Sequence, residues 1–265
     1  RALYTAYTGM INQQARLDVI TNNLANASTV GYKKEGSTSQ AFDSVYTQKI
    51  KDGSEGYIDR RIGKETLGVM IGETYTDYSQ GSFKVTGNTF DLGLEGSGFF
   101  NIEFASKSGT TSTRYTRDGS FSVNNEGMVV TEDGDYLLGQ NGRIQIPTGA
   151  EVVVDELGNV YADEQLVDTI KITDFEDYGY LSKSGENLYT AVDGATEKNA
   201  DCKVRQGYLE MSNINVISEM VEMITISRAY ESNQKAVQTI DSSLEKSVNL
   251  GKHKYEVNFR ARRRL

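Results

Sequence analysis

The feature that most constrains this chain is a helix-length apolar repeat near each end, the two separated by most of the sequence. From Leu3 to about Ala27, the residues Leu3, Ala6, Met10, Leu17, Ile20, Leu24 and Ala27 recur at steps of three, four or their sum, and only Gln13 interrupts the series. Apolar groups at that spacing fall on one stripe of a helix that packs lengthwise against another helix. The carboxyl end repeats the pattern. Val216, Met223, Tyr230, Val237 and Leu244 occupy one seam position, Glu219, Ile226, Asn233, Ile240 and Ser247 the other, and Met220 and Val248 widen the stripe. A cap at Ser212 or Asn213 and a stop at Gly251 predict a helix on the order of 50 Å long. Asn233 and Ser247 are polar on an apolar seam, so each needs a partner. Pairing within the chain would bring the two ends together.

Between the repeats the period changes. SFKVTGNTFDLGLEG, GFFNIEF, YTRDGSFSV, GMVVTEDGDYLLG, RIQIP, EVVVDELGNVYA and DTIKITDF read as short strands. Their DG, EDG, NG and GN punctuation predicts hairpins, and therefore antiparallel β structure in place of a parallel nucleotide-binding sheet. The expected fold class is α+β: long terminal helices forming a coiled-coil-like domain around a central, predominantly antiparallel β domain. Residues 42–57 are polar and Gly-rich, as suits a link between helix and sheet.

Few chemistries fit the residues available. Cys202 and His253 are each the sole residue of their type, which leaves no thiol cluster, no HExxH site and no catalytic triad outside a near-terminal basic segment. No catalytic, metal-binding or cofactor-binding residues are assigned, and no cofactor is expected. Asp133 and Asp135 flank Gly134 in an expected hairpin, and Asp174, Glu176 and Asp177 read as an acidic surface run, not as paired catalytic carboxylates. EGSGFF leads into a strand with no P-loop lysine, so it reads as a close backbone turn. Its last two residues, Phe99 and Phe100, alternate across that strand, one toward the core and the other toward a neighbour or subunit.

Charge and hydropathy narrow the partners. The net charge is −9, and the last fifteen residues carry six Lys/Arg and one Glu, or +5, so the preceding 250 carry −14. An acidic body argues against nucleic acid, and no run approaches the length of apolar residues that inserts in a membrane.

One motif stands out where the first helix pattern ends. NNLANASTVGYKK, residues 22–34, replaces apolar periodicity with small polar residues, a glycine and a basic pair. Short polar side chains compete for backbone hydrogen bonds and Gly accepts positive φ, so the chain is expected to turn at Gly31.

Taken together, ARLDVITNNLANASTVGYKK, TGNTFDLGLEGSGFFNIE, YTRDGSFSVNNEGMVVTEDGDYLLG, GENLYT and GYLEMSNINVISEMVEMITISRAYESNQKAVQTID resemble, in order, the flagellar axial proteins of bacteria, particularly their distal-rod and hook-basal-body branch. The matching positions include Asn22, Asn23, Leu24, Ala25, Asn26, Gly31, Tyr32, Lys33, Ser212, Asn213, Arg228, Ala229 and Tyr230. The chain departs from the family pattern at Thr89, where Pro is common, and in the DLGL run at Asp91–Leu94. The resemblance implies a non-enzymatic structural subunit of the basal body. Such a subunit passes through the flagellar type III export apparatus and assembles helically with itself and with other rod and hook proteins.

On that reading the chain divides into an N-terminal axial-core helix at 1–30, a linker and extended segment at 31–80, a β-rich domain at 81–205, a long axial-core helix at 206–250, and a basic tail at 251–265, whose composition suits either a vector remnant or a segment that binds an acidic surface. The seam residues Leu17, Leu24, Met223, Ile226, Tyr230, Val237 and Ile240 are the candidates for assembly. The competing readings are a subunit of a non-flagellar surface filament or adhesin, suggested by the Tyr-rich β body, and a carbohydrate-acting enzyme using acidic pairs.

Overall fold

The computed structural model describes residues 2–48, 61–105, 111–147, 149–185 and 187–262. They form two compact units: one from the described parts of Arg1–Asn22, Glu35–Tyr75 and Ile217–Leu265, the other from Asn23–Lys34 and Thr76–Val216.

In the first unit, α1 (Ala2–Ala25) and α2 (Val216–Arg262) run antiparallel. Arg16 of α1 reaches Glu222 of α2 at 3.0 Å, and Gly9 lies against Asn233, so contacts on α2 retreat as α1 advances. A Cβ on Gly9 would come 3.1 Å from the Asn233 amide, so the missing side chain makes room for the polar residue on the seam. Ile20 and Ile226 are buried on their helices, at 5% and 3% exposure. The helices therefore pair in the coiled-coil manner that the repeats predict.

Two expected boundaries move. α2 starts at Val216, beyond Ser212 and Asn213, and continues through Gly251 to Arg262, about 70 Å at 1.5 Å per residue. An interior glycine costs only about 1 kcal/mol, and no proline follows to break the helix. The segment after Lys34, expected as a linker and extended segment, carries strands. Glu35–Ala41 pairs with Val69–Thr76, and Val45–Gln48 with Arg61–Glu65. Ser39 exchanges hydrogen bonds with the buried amide of Asn12, which ties the first ribbon to α1. Residues 49–57 of the predicted polar linker lie outside the described residues.

The second unit holds the antiparallel sheet. Its central strand, Phe99–Ala105, pairs along one edge with Thr111–Thr116 and along the other with Ile172–Phe175 and Tyr136–Gly139. The EDG turn forms as expected: the Val129–Thr131 and Tyr136–Gly139 strands pair antiparallel, and Gly134 sits at φ +93° between them. The turn in EGSGFF is also a backbone feature. Gly98 has φ +133°, and a Cβ there would meet the Ala200 Cβ at 2.8 Å.

Phe99 and Phe100 correct one expectation, because neither awaits a neighbour. Phe100 is fully buried with Leu92, Leu94, Ile102 and Leu137, and stands edge-on to Phe121 at 5.2 Å between ring centroids. Phe99, 1% exposed on the opposite face, packs in a second core with Tyr115, Phe175 and Tyr189, flanked by Tyr78 and Tyr178. The aromatic-rich sequence supplies enough rings to cover both faces of one strand. Asp174 is a further correction: it is only 5% exposed and accepts the Tyr178 hydroxyl at 2.7 Å, whereas Glu176 and Asp177 do lie at the surface. Truncating either Phe99 or Phe100 to Ala should cost about 3–5 kcal/mol. Denaturant unfolding followed by far-ultraviolet circular dichroism would check this; a subunit-contact role for Phe99 would instead leave the monomer's stability unchanged.

Candidate functional site

The polar motif after α1 becomes intelligible from its hydrogen bonds. α1 ends at Ala25, and the amides of Asn26, Ala27 and Thr29 then bond to the carbonyls of Asn23, Leu24 and Asn26 as the helix unwinds through turns. Thr29 Oγ1 donates to Asn26 Oδ1. Asn23 is completely buried, Leu24 half-buried, and Asn22 and Ala25 exposed. The chain then passes beside the strand that precedes α2: Val30 bridges Met211, and the Gly31 amide donates to the Glu210 carbonyl at 2.7 Å. Gly31 has φ +66°, and a Cβ on it would lie 2.5 Å from the Arg117 carbonyl carbon. No side chain fits at this position.

Beyond Gly31 the chain enters a buried charge cluster. Lys33, 1% exposed, donates from Nζ to Glu210 Oε1 at 2.6 Å and to the Ser79 carbonyl at 2.9 Å. Glu210, also 1% exposed, takes the Gly81 amide on the same oxygen at 2.9 Å and Arg117 Nη1 on the other at 3.1 Å. Arg117 donates further, from Nη2 to the Gly96 carbonyl at 2.6 Å, and its guanidinium lies 5.5 Å from the Phe99 ring centroid. One carboxylate thus answers two cations in a site closed to water. Burial pushes the Lys33 ammonium below its ordinary value of 10.5, and the Glu210 carboxylate opposes that shift.

Surrounding side chains hold the segment in place. Asn213 accepts the Lys34 amide on Oδ1 at 2.8 Å and donates from Nδ2 to the Asp77 and Ser79 carbonyls. That use of the side chain explains why Asn213 does not cap α2. Asn187, at φ +59° in the GENLYT stretch, donates to the Val30 carbonyl at 2.7 Å, and the Lys183 ammonium stands 3.9 Å from the centroid of the buried Tyr32 ring. The cluster contains charged groups each engaged by an ion pair and backbone already paired, with no nucleophile beside a base. Its chemistry is adhesion between chain segments far apart in sequence.

The sequence-predicted residues separate into two groups. Asn23, Gly31, Tyr32, Lys33, Ser212 and Asn213 lie in this clamp or next to it. Leu17, Met223, Tyr230, Val237 and Ile240 are half-buried on the helices, Ile226 is buried, Ala229 is half-buried and Arg228 exposed. Sequence reasoning missed Glu210 and Arg117. Their only signal was a charge within each of the strand-like runs GYLEM and YTRDG, lone in the first and beside Asp118 in the second. It also missed a second apolar stripe of the first unit: Ile217, Val221 and Ile224 of α2, at 76%, 59% and 50% exposure, and Tyr4, Tyr7 and Ile11 of α1, at 69%, 51% and 44%.

One unit in which two long helices from opposite ends of the sequence pair antiparallel, and a second, β-rich unit whose buried ion cluster ties the segment after α1 to the strand before α2, make up the architecture of an α+β structural protein. Comparison with known proteins gives the class a family. Residues 3–33 match the family described as "Flagella basal body rod protein", 93–162 "Flagellar hook protein FlgE/F/G D1 domain", and 205–250 "Flagellar basal body rod FlgEFG protein C-terminal". The chain is 36% identical over 275 residues to the flagellar basal-body rod protein FlgG of Bacillus subtilis (strain 168), covering 94% of this chain and 98% of that protein. It is 35% identical to FlgG of Caulobacter vibrioides, with 94% and 99% covered, and 32% identical to FlgF of the same organism, with 95% and 98% covered. The chain belongs to the flagellar basal-body rod protein family. The clamp draws one charged residue from each matched segment: Lys33, Arg117 and Glu210.

Glu210→Gln should destabilise the protein by about 3–5 kcal/mol, because it strands two buried cations. Glu156→Gln, which breaks an exposed pair with Lys203, should change nothing measurable. Gly31→Ala combines a left-handed backbone with a clash against fixed main chain, and should cost about 3 kcal/mol or more. Chemical denaturation ranks all three. Because the folded-state pKa of Lys33 is lowered, the unfolded chain binds more protons between that pKa and 10.5. Stability relative to a Lys33→Met variant should therefore rise with pH across that window; a fall would show that ion pairing outweighs burial.

Proposed function

We propose that this chain is a structural subunit of the bacterial flagellar basal body, in the distal rod or the rod-hook region, which assembles helically and transmits torque. Its partners are copies of itself and other rod and hook proteins, after passage through the flagellar type III export apparatus. Family membership supports the basal-body role. What supports assembly through the helices is the exposed stripe of the first unit. Large apolar residues on helix faces that the chain itself leaves uncovered gain by burial against another subunit. A contact between different surfaces of successive subunits continues as an open helix instead of closing into a ring.

The helices divide this labour. Ile226 is already buried within one chain, and Met223, Tyr230, Val237 and Ile240 are half-buried, so this seam acts first on the protomer's own helix pair. Ile217, Val221 and Ile224 face outward and are the residues through which the protomer meets its neighbours. Asp at Ile217 or Ile224 should leave the isolated protein folded, with unchanged helical circular dichroism, and yet abolish its incorporation into purified basal bodies and cell motility. Asp at Ile226 should lower helix content in the isolated protein, since an unpaired charge on a buried helix face costs several kcal/mol. Normal incorporation of the Ile217→Asp and Ile224→Asp proteins would overturn the assignment of this stripe, and immunogold label confined to non-flagellar fibres would overturn the basal-body assignment.

A further inference from the structure

A three-stranded antiparallel sheet of the second unit, Val152–Val154, Asn159–Ala162 and Gln165–Thr169, has one covered face and one open face. Val152, Val154 and Val160 lie in the larger core, so the residues that alternate with them point outward. The register sets Val153 opposite Tyr161 and Tyr161 opposite Leu166, which makes these three one row across the outer face. Val153 and Leu166 are 52% and 58% exposed, and Tyr161 is partly exposed. At the spacing of strands the row is about 10 Å long. Carboxylates stand on both sides of it. On one side the Glu151 amide donates to Asp163 Oδ1 and the Asp163 amide to the Glu151 carbonyl, with Glu164 next in the turn. On the other side is Asp155, two residues beyond Val153. None of these four carboxylates has an ion pair among the described residues.

An apolar row between carboxylates repels nucleic acid and anionic lipid, and is complemented by a segment that carries apolar groups among cations. The most basic stretch of the chain has that composition. GKHKYEVNFRARRRL, residues 251–265, holds six Lys/Arg against one Glu, with Tyr255 and Phe259 four residues apart among them. It follows the last segment matched to the family, at 205–250. In such a contact opposite charge steers the encounter and fixes orientation, while the buried apolar groups hold the complex. We propose that the row of Val153, Tyr161 and Leu166, with the carboxylates beside it, receives the basic segment 251–265 of another copy of this chain. The two surfaces are different, so each copy gives one segment and accepts another.

The test adds a fluorescent peptide of residues 251–265 to the full-length protein carrying Arg260→Gln, Arg262→Gln, Arg263→Gln and Arg264→Gln, so that its own tail does not compete. Anisotropy reads affinity, and amide nuclear magnetic resonance shifts read the place. Binding should saturate, shift residues 151–155 and 159–166, and weaken as salt is raised. Two further changes keep the fold. Asp163→Asn with Glu164→Gly supplies the Asn-Gly pair that a two-residue hairpin turn favours, in place of two residues held at φ +49° and +65°. Leu166→Ser alters an exposed side chain. Each should lower affinity about tenfold. Glu132→Gln with Asp133→Asn removes the same charge from another exposed hairpin and should leave affinity unchanged. Absence of saturable binding, or a loss with the Glu132 and Asp133 changes equal to that at the Asp163 turn, would overturn the proposal. So would full affinity of the Leu166→Ser protein, or of a peptide carrying Tyr255→Ser and Phe259→Ser. Tighter binding of the peptide to phosphatidylglycerol vesicles than to the protein would overturn it too, by assigning the tail to a lipid surface. Incorporation into basal bodies through the helix stripe is a separate measurement that none of these outcomes alters.

Discussion

The structure depends on a single carboxylate. Glu210 is closed off from water between Lys33 and Arg117, 177 and 93 residues before it in the chain, and the backbone of Gly31 and Gly81 completes its surroundings. A buried ion cluster is weak as a source of net stability, because removing charges from water offsets much of their attraction. It is strong as a device of specificity. Moving the strand of Glu210 away from the turn after α1 would leave Lys33 buried without its carboxylate, at a cost of about 3–5 kcal/mol, so the cluster favours the observed pairing of these segments.

From that requirement the local chemistry follows. Lys33 can reach Glu210 only if the chain passes hard against the Arg117 backbone, hence glycine at 31. The turn before it must release the helix quickly while keeping its amides satisfied, hence the run of Asn, Ser and Thr. The segment before α2 must lie extended alongside, so Asn213 bonds across to Lys34 and α2 waits until Val216 to begin.

What the sequence disclosed and what it hid divide along the range of the interactions. Periodicities of three and four announced α1 and α2, and paired turn residues announced the hairpins, because both are set by neighbours in the chain. Glu210 and Arg117 were illegible because their partners are distant in sequence, and a single charge in a strand looks like a solvent-facing residue. Asp174 was misread for the same reason, its burial depending on Tyr178 and the sheet around it. Phe99 was misread because alternation identifies two faces of a strand without saying that both are covered. The motif at 22–34 was visible as an anomaly, but only the fold shows what its lysine is for. The helical seam was legible as a stripe, while the outward stripe at Ile217, Val221 and Ile224 was masked by the stronger repeat beside it.

The exposed apolar groups of α2 have a geometric consequence. Ile217, Val221 and Ile224 stand near the start of the helix, and Leu244 and Val248, beyond the contact of Asn233 with Gly9, are also exposed. The two groups are about 40 Å apart at helical rise. A link with a hook at each end joins into a line of any length, whereas a link with one hook makes only a pair.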